Sequence, residues 1–222
     1  MPAPISVVIP TLNAAETLSP TLEALMEGVE AGLVAELVVS DGGSTDATCK
    51  LAEAWGARLV EGPASRGGQL RRGCALARAP WLLVLHGDTR LAPGWAEAVT
   101  AHLDTADAGY FALRFDRGGR WVAGWANLRA RLFGLPYGDQ GLLVPRTLYD
   151  EVGGFADIPL MEDVAMARAL RGRLRRIDAI AVTSAARYRA QGWTRRGARN
   201  LWLLARYFAG VPPERLAQRY QR

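Results

Sequence analysis

Asp88 lies near the end of the stretch Trp81–Arg90 (WLLVLHGDTR), in which an apolar run gives way to His86-Gly87-Asp88-Thr89. An acid in a turn-prone cluster at the carboxyl end of a strand stands where open α/β sheets bind ligands. Its chemistry would be that of an oxygen ligand for Mg or Mn, which bridge phosphates while using few protein carboxylates. Asp41 is a second strand-end acid, opening Asp41-Gly42-Gly43-Ser44-Thr45-Asp46. Its glycines admit a ligand close to the backbone, and its carboxylate can accept hydrogen bonds from a base or ribose. Ser44, Thr45 and Asp46 read as turn and cap residues. A third cluster, Pro10-Thr11-Leu12-Asn13 with Glu16, follows the first apolar run. The fourth is Met161-Glu162-Asp163, behind Gly153-Gly154-Phe155. Two acids that open a helix gain from its dipole, or one of them serves as general base toward an incoming hydroxyl. Arg66, Arg71 and Arg72 could neutralise a phosphate, with at least one of the three on a solvated helix face.

Short parallel strands must position these clusters. Trp81–His86 is too short for a globular helix, and its unbroken apolarity suits a strand covered on both faces. Ile5–Pro10, Glu36–Ser40 and Arg58–Glu61 read as three earlier strands. Helices are expected at about 14–27 with Asn13 as cap, 46–55 and 66–78. This βαβαβαβ order implies parallel strands joined by right-handed crossovers. Further helices are expected at 93–102, 121–133 and 162–171, and further strands at 109–115, 141–144 and 180–183. The last thirty or so residues read as helical. Residues 1–190 are expected to form one α/β domain, with 191–222 a helical extension packed on it.

The chain has 222 residues, half of them hydrophobic and 22% charged, enough for one packed core. Its formal charge is +5, and Lys50 is the only lysine among 27 basic residues. Arginine favours planar partners such as phosphate or carboxylate, although the same bias follows from genome base composition. No nucleic-acid-binding motif accompanies the charge. Cys49 and Cys74 have no ligand spacing. No GxGxxG or P-loop follows any strand. With no signal-like start and no apolar run of about 18 residues, the sequence reads as cytoplasmic.

In order and spacing, SVVIPTLNA, VVSDGGSTDAT, LLVLHGDTRLAPG, GGF and MED resemble a family 2 glycosyltransferase of the GT-A fold, over roughly Ile5 to Arg171. LHGDT, PYGDQG, DIPLMED and the tail TSAARY…LLARYFAGVPPERLAQRY resemble a narrower bacterial subgroup associated with radical-SAM and selenodomain genes or arsenosugar biosynthesis. The resemblance implies a Rossmann-like, mostly parallel mixed sheet flanked by helices. It also implies inverting transfer of a sugar from a nucleoside diphosphate donor, a UDP-sugar being the common choice, to an acceptor hydroxyl. Pro10, Thr11, Asn13, Glu16 and Asp41 would line the base and ribose pocket, and Arg66 and Gln69 the nucleotide and diphosphate. Asp88 matches the last acid of the DXD motif, which binds Mn or Mg. His86 replaces the first acid and either supplies a neutral nitrogen or packs beside the metal. Asp163 matches the general base, with Glu162, Gly154 and Phe155 on the acceptor side. The processive signature QxxRW is absent at Gln191–Arg195, which implies single additions.

On a helical wheel through 193–210, Arg195, Arg199, Trp202 and Arg206 share one stripe, while Leu201, Leu204 and Phe208 share the opposite one. The apolar stripe is expected to dock on the catalytic domain. The Trp/Arg stripe packs under a loop, meets an anionic membrane at the inner face, or forms a dimer contact. The competing functional reading is a nucleotide-sugar-binding protein with degenerate or regulatory catalysis, motivated by His86.

Overall fold

The computed structural model describes residues 3–220. Four strands build its parallel half: β1 (Ile5–Thr11), β2 (Val34–Asp41), β3 (Arg58–Glu61) and β4 (Trp81–Val84). Helices α1 (Ala15–Glu30), α2 (Thr48–Ala54) and α3 (Arg66–Leu76) connect them. β1 pairs in parallel with both β2 and β4, and β2 with β3. Ile5, Val7, Val8, Ile9, Leu82 and Leu83 are wholly buried, because helices cover both faces of these strands.

The remaining strands are β5 (Thr89–Leu91), β6 (Ala108–Phe115), β7 (Leu142–Pro145) and β8 (Leu174–Thr183), in the sheet order β3-β2-β1-β4-β7-β6-β8-β5. β7 enters antiparallel between β4 and β6, while β6 and β8 run parallel and β5 returns antiparallel along β8. The sheet is therefore mixed, as expected of a GT-A fold. Strand order reverses direction at β1 and β4, so their carboxyl ends open a crevice. One core lies between α1, α4 (Trp95–Leu103) and the sheet, around Ile9, Leu22, Trp95 and Phe111. The other packs Leu70 of α3 and Met166 of α7 (Glu162–Ala169) on Val8, Leu82 and Val144. The helices α5 (Arg120–Phe133), α6 (Arg146–Glu151), α8 (Ala186–Gln191), α9 (Trp193–Phe208) and α10 (Pro213–Tyr220) complete the structure.

Several expectations are corrected. β4 ends at Val84, which puts His86 in the loop rather than on the strand. Asn13 does not cap α1: Ala14 holds that position without a side-chain bond, and Asn13, at φ 49°, turns to the neighbouring loop. β8 begins six residues earlier than its apolar end suggested, because Leu174–Arg176 pair with β6 despite their charge. α9 docks through Leu203, buried with Leu160, Met161, Val164 and Leu216; of the expected stripe Leu204 packs against this cluster, whereas Leu201 and Phe208 stay exposed. Trp202 carries Arg206 at 4.9 Å and Arg219 of α10 at 5.7 Å from its ring. The Trp/Arg stripe thus packs against the last helix. No helix among the described residues is long and apolar enough to cross a membrane.

Candidate active site

The loops after β1 and β2 are tied together by their own polar groups. Asp41 is buried and accepts from Thr11 Oγ1 (2.8 Å), Ser44 Oγ (2.6 Å), Gly43 N (2.7 Å) and Ser44 N (2.6 Å). Burial would raise this carboxyl, but the hydrogen bonds outweigh it and hold the group below its usual range. Those bonds engage both oxygens, so Asp41 shapes the turn in this structure. Asn13 Oδ1 accepts from Thr45 N at 2.9 Å, and its own N–H bonds Ser44 Oγ at 2.8 Å. Gln69 is buried and donates to the carbonyls of Thr11 (2.7 Å) and Ser40 (3.1 Å), lying beneath these loops. Pro10 is half-buried at the same edge and Glu16 is exposed in the first turn of α1.

α3 brings Arg66 to the crevice. A Cβ on Gly67 would stand 2.0 Å from the Ala156 carbonyl oxygen, so only glycine lets the start of α3 lie against the segment leading into α7. Ser65 caps this helix and bonds Asp157 at 3.0 Å. Arg66 Nη2 lies 2.9 Å from His86 Nε2, and its Nε lies 3.2 Å from Glu162 Oε1. A guanidinium can only donate, so His86 Nε2 accepts and the ring carries its proton on Nδ1. Burial, with Arg66 and Arg187 nearby, drives the His86 pKa well below its usual value, so the imidazole is neutral.

The 3-10 turn Gly138–Gln140 links the acids. Gly138 N donates to Asp163 Oδ2 at 2.8 Å, while Val164 N donates to Oδ1 at 2.7 Å. A Cβ on Gly138 would meet His86 Nε2 at 2.2 Å, so this glycine fixes the spacing of His86 and Asp163. Met161, at φ 69°, turns the chain sharply into α7. Glu162 is 1% exposed. Burial pushes its pKa up to about 7, with Arg66 opposing and Asp163 adding to the rise. Asp139 is raised to about 6 by burial, with Arg129 opposing and Asp163 and Asp88 reinforcing it.

A single cavity of about 700 Å³ gathers Arg66, His86, Asp88, Asp139, Asp163 and Arg187, and continues between α5 and α9. Asp88 and Asp163, far apart in the chain, thus face one space. The crevice residues Pro10, Thr11, Asn13, Asp41 and Gln69 adjoin it rather than line it, Gly87 packing beside Ala14 and Thr11. Glu162 is buried behind the cavity wall against Arg66. Gly154 sits in a tight turn against the Tyr149 ring and Phe155 is 3% exposed in the core, so neither reaches the cavity.

Sequence reasoning missed Asp139, Arg129 and Arg187. Asp139 stood in the PYGDQG stretch without an assigned role. It shares the cavity, and its Oδ1 is buried without a hydrogen-bond partner among the described residues. Among those residues no three His, Cys, Asp or Glu side chains form a metal cluster. The orphaned oxygen of Asp139 and the cavity-facing Asp88 suit a cation that takes most of its ligands from phosphate and water, as Mg and Mn do. His86 Nε2 is already engaged by Arg66 and would join such a site only if Arg66 moved.

Residues 6–157 match the profile of glycosyl transferase family 2. The chain belongs to that family. It is 39% identical over 116 residues to glycosyltransferase AglJ of Haloferax volcanii, covering 50% of this chain and 35% of that protein. The chain therefore spans about a third of the curated relative it matches. The mannosyltransferase PcManGT of Pyrobaculum calidifontis, solved with GDP-Man and Mn2+, superposes with a TM-score of 0.69 at 21% identity, over 96% of this chain and 66% of that one. Glucosyl-3-phosphoglycerate synthase of Mycobacterium tuberculosis, solved with Mn2+, UDP and phosphoglyceric acid, gives 0.57 at 26% identity over 82% and 68%. The mixed α/β fold seen here is the one these solved neighbours share.

Proposed function

We propose that this glycosyltransferase moves one sugar from a nucleoside diphosphate donor to an acceptor oxygen with inversion at the anomeric carbon. The observation that carries this reading is the meeting of Asp88 and Asp163 in one cavity with Arg66 and Arg187 beside them. Arg66 and Arg187 would face the departing diphosphate, whose developing charge needs preorganised cations. A Mg or Mn ion held by Asp88, with Asp139 nearby, would supply the rest of that charge neutralisation. Asp163, its oxygens oriented by the N–H groups of Gly138 and Val164, takes the proton of the acceptor. The acceptor oxygen attacks opposite the leaving group, the new C–O bond forms, and the bond to the diphosphate oxygen breaks with its electron pair.

Within family 2, the LHGDT, PYGDQG and DIPLMED variants favour the radical-SAM-associated bacterial subgroup, and the missing QxxRW favours single additions. UDP is the preferred donor base by family resemblance, while the two solved neighbours carry UDP and GDP-Man. We read residues 191–222 as a helical extension of the catalytic domain, whose helix α9 walls one side of the cavity through Trp193, Gly197 and Leu201. A thermal-shift panel of UDP-, GDP-, ADP- and dTDP-sugars with and without Mn tests the reading. One donor should raise the melting temperature, and more so with Mn. No shift with any donor would sink it; a shift without donor hydrolysis or transfer would favour a binding protein with degenerate catalysis.

A further inference from the structure

β6 loses its neighbour part-way along. Among the described residues it pairs with β7 only at Gly109 and Leu143. Continued in that antiparallel register, Phe111 would face Gly141 and Leu113 would face Asp139. There the chain is instead in the 3-10 turn Gly138–Gln140, so the two segments part, and Leu113 and Asp139 both line the cavity. The backbone groups of Phe111 and Leu113 on that edge need other partners, because unpaired buried ones are costly.

Two side-chain amides supply them. Asn127 of α5 accepts from Leu113 N at 2.7 Å and donates to Leu113 O at 3.0 Å, as a residue of a paired strand would. Gln140 donates through Nε2 to Phe111 O at 3.2 Å and to Asn127 Oδ1 at 3.4 Å, while its Oε1 accepts from Tyr137 N at 3.4 Å. A carbonyl oxygen only accepts, so Phe111 O and Leu113 O fix which way each amide faces. Gln140 is 0% exposed. An aliphatic side chain would fill the same space but leave the Phe111 carbonyl without its donor.

The turn held in this way is the one that faces the acids. Gly138 N meets Asp163 Oδ2 at 2.8 Å, and Asp139 follows it. Within the turn only Gln140 N bonds Tyr137 O (2.9 Å) and Gly141 N bonds Gly138 O (3.1 Å), and so short a 3-10 element has little stability of its own. At its far end Gly141, at φ 62°, is closed in by Leu85 and Phe111, each 3.0 Å from where a Cβ would stand. Between these two ends, Gln140 is the tie to β6.

We infer that Gln140, seated with Asn127 on the free edge of β6, is a positioning residue that aims Asp163. It sets the height of the turn, and the turn sets the Gly138 N–H against the carboxylate. The inference rests on the transferase reading, with Asp163 as base, and deepens it. Donor binding does not pass through this tie, since Arg66 and Asp88 come from α3 and the loop after β4. Loss of the Gln140 bonds therefore acts on turnover and spares the donor.

Gln140→Met keeps the volume and removes the bonds, and Asn127→Ala removes the seat on α5. Leu25→Ala, in the core under α1, serves as a variant destabilised elsewhere. Donor binding would be followed by calorimetry with the sugar nucleotide selected from the UDP, GDP, ADP and dTDP panel. Turnover would be read as release of the nucleoside diphosphate with water in the acceptor's place, and exchange of the Gly138 amide by NMR of the ligand-free protein. Gln140→Met and Asn127→Ala should bind donor within about twofold of wild type, lose about tenfold or more in kcat and exchange Gly138 about tenfold faster or more. Leu25→Ala should lose stability while keeping kcat within about twofold. Unchanged kcat, or a kcat loss without faster Gly138 exchange, would overturn the inference. So would kcat and donor affinity falling together to the extent seen in Leu25→Ala. Should Gln140→Met fail to fold, Asn127→Ala, at a half-buried position, decides alone. Donor binding by no sugar nucleotide in wild type would remove the role of Asp163, and this inference with it. Donor binding with normal turnover in both variants would leave the transferase reading intact and strike only the positioning role.

Discussion

Replacing Glu162 with glutamine should make the protein more stable at alkaline pH and not at acid pH. Glu162 is 1% exposed, and among the described residues its two oxygens have no hydrogen-bond partner, Arg66 Nε standing 3.2 Å from one of them as an ion pair. Burial therefore holds its pKa at about 7 against the usual 4.5. Between those values the folded protein retains a proton that the unfolded chain has released, so stability falls as pH rises through this window. It is highest below 4.5 and the loss is complete above about 7. At about 1.4 kcal/mol per pH interval, the charge of Glu162 destabilises the fold by about 3 kcal/mol at pH 8.5. Glutamine keeps the shape and never ionises. The stability difference between E162Q and wild type should therefore grow by about 3 kcal/mol from pH 4.5 to pH 8.5. For a chain of this length the corresponding gap in Tm widens by roughly 6–12 °C. Thermal or urea unfolding of both proteins at the two pH values reads this directly. A gap that stays constant, or a variant less stable at pH 8.5 than at pH 4.5 relative to wild type, would refute the burial argument. Holding an acid here against its own stability is the pattern of a residue kept to fix Arg66.

Gly138→Ala would drive a Cβ into His86 Nε2 and disturb the 2.8 Å bond to Asp163, so kcat should fall about 100-fold with donor affinity retained; steady-state kinetics check it. The His86 ring should be neutral and protonated on Nδ1 at pH 7 in 15N-edited NMR, and Arg66→Gln should raise its pKa by removing a nearby positive charge. A charged ring at pH 7 would contradict that environment. Leu203→Ala should cost about 2–5 kcal/mol in urea unfolding, because Leu203 is 2% exposed on the docked face of α9, whereas the exposed Leu201→Ala should stay within about 0.5 kcal/mol.

The parallel half of the fold was legible because its strands announce themselves twice. Ile5–Thr11 and Trp81–Val84 are apolar without alternation, and each ends in a polar turn. The other half was less so. β5 is three residues long and exists only because β8 pairs with it, and β7 inserts antiparallel through contacts with strands distant in sequence. Such pairings have no local signature. Asp88 and Asp163 were readable as acids at element ends, and the structure brings both to one cavity. Gly154 and Phe155 looked equally well placed, yet Phe155 carries enough apolar surface to be drawn into the core beside Tyr149. Asp139 was not readable, since the charged groups around it, Asp88, Arg129 and Asp163, come from distant parts of the chain. On α9 the wheel held apolar residues on several faces, and only the partner surface at Met161 and Val164 selects Leu203 as the anchor.

Donor binding and sugar transfer measured in parallel for Asp88→Ala and Asp163→Asn go to the heart of the matter. Calorimetry with the donor selected by the thermal-shift panel, with and without Mn, would report binding, and product formation would report chemistry. Asp163→Asn should bind donor as wild type does and lose at least about 100-fold in transfer. Asp88→Ala should lose the Mn-dependent part of donor affinity. Near-normal turnover by Asp163→Asn, or Mn-dependent donor binding undiminished in Asp88→Ala, would contradict the division of labour between the two acids.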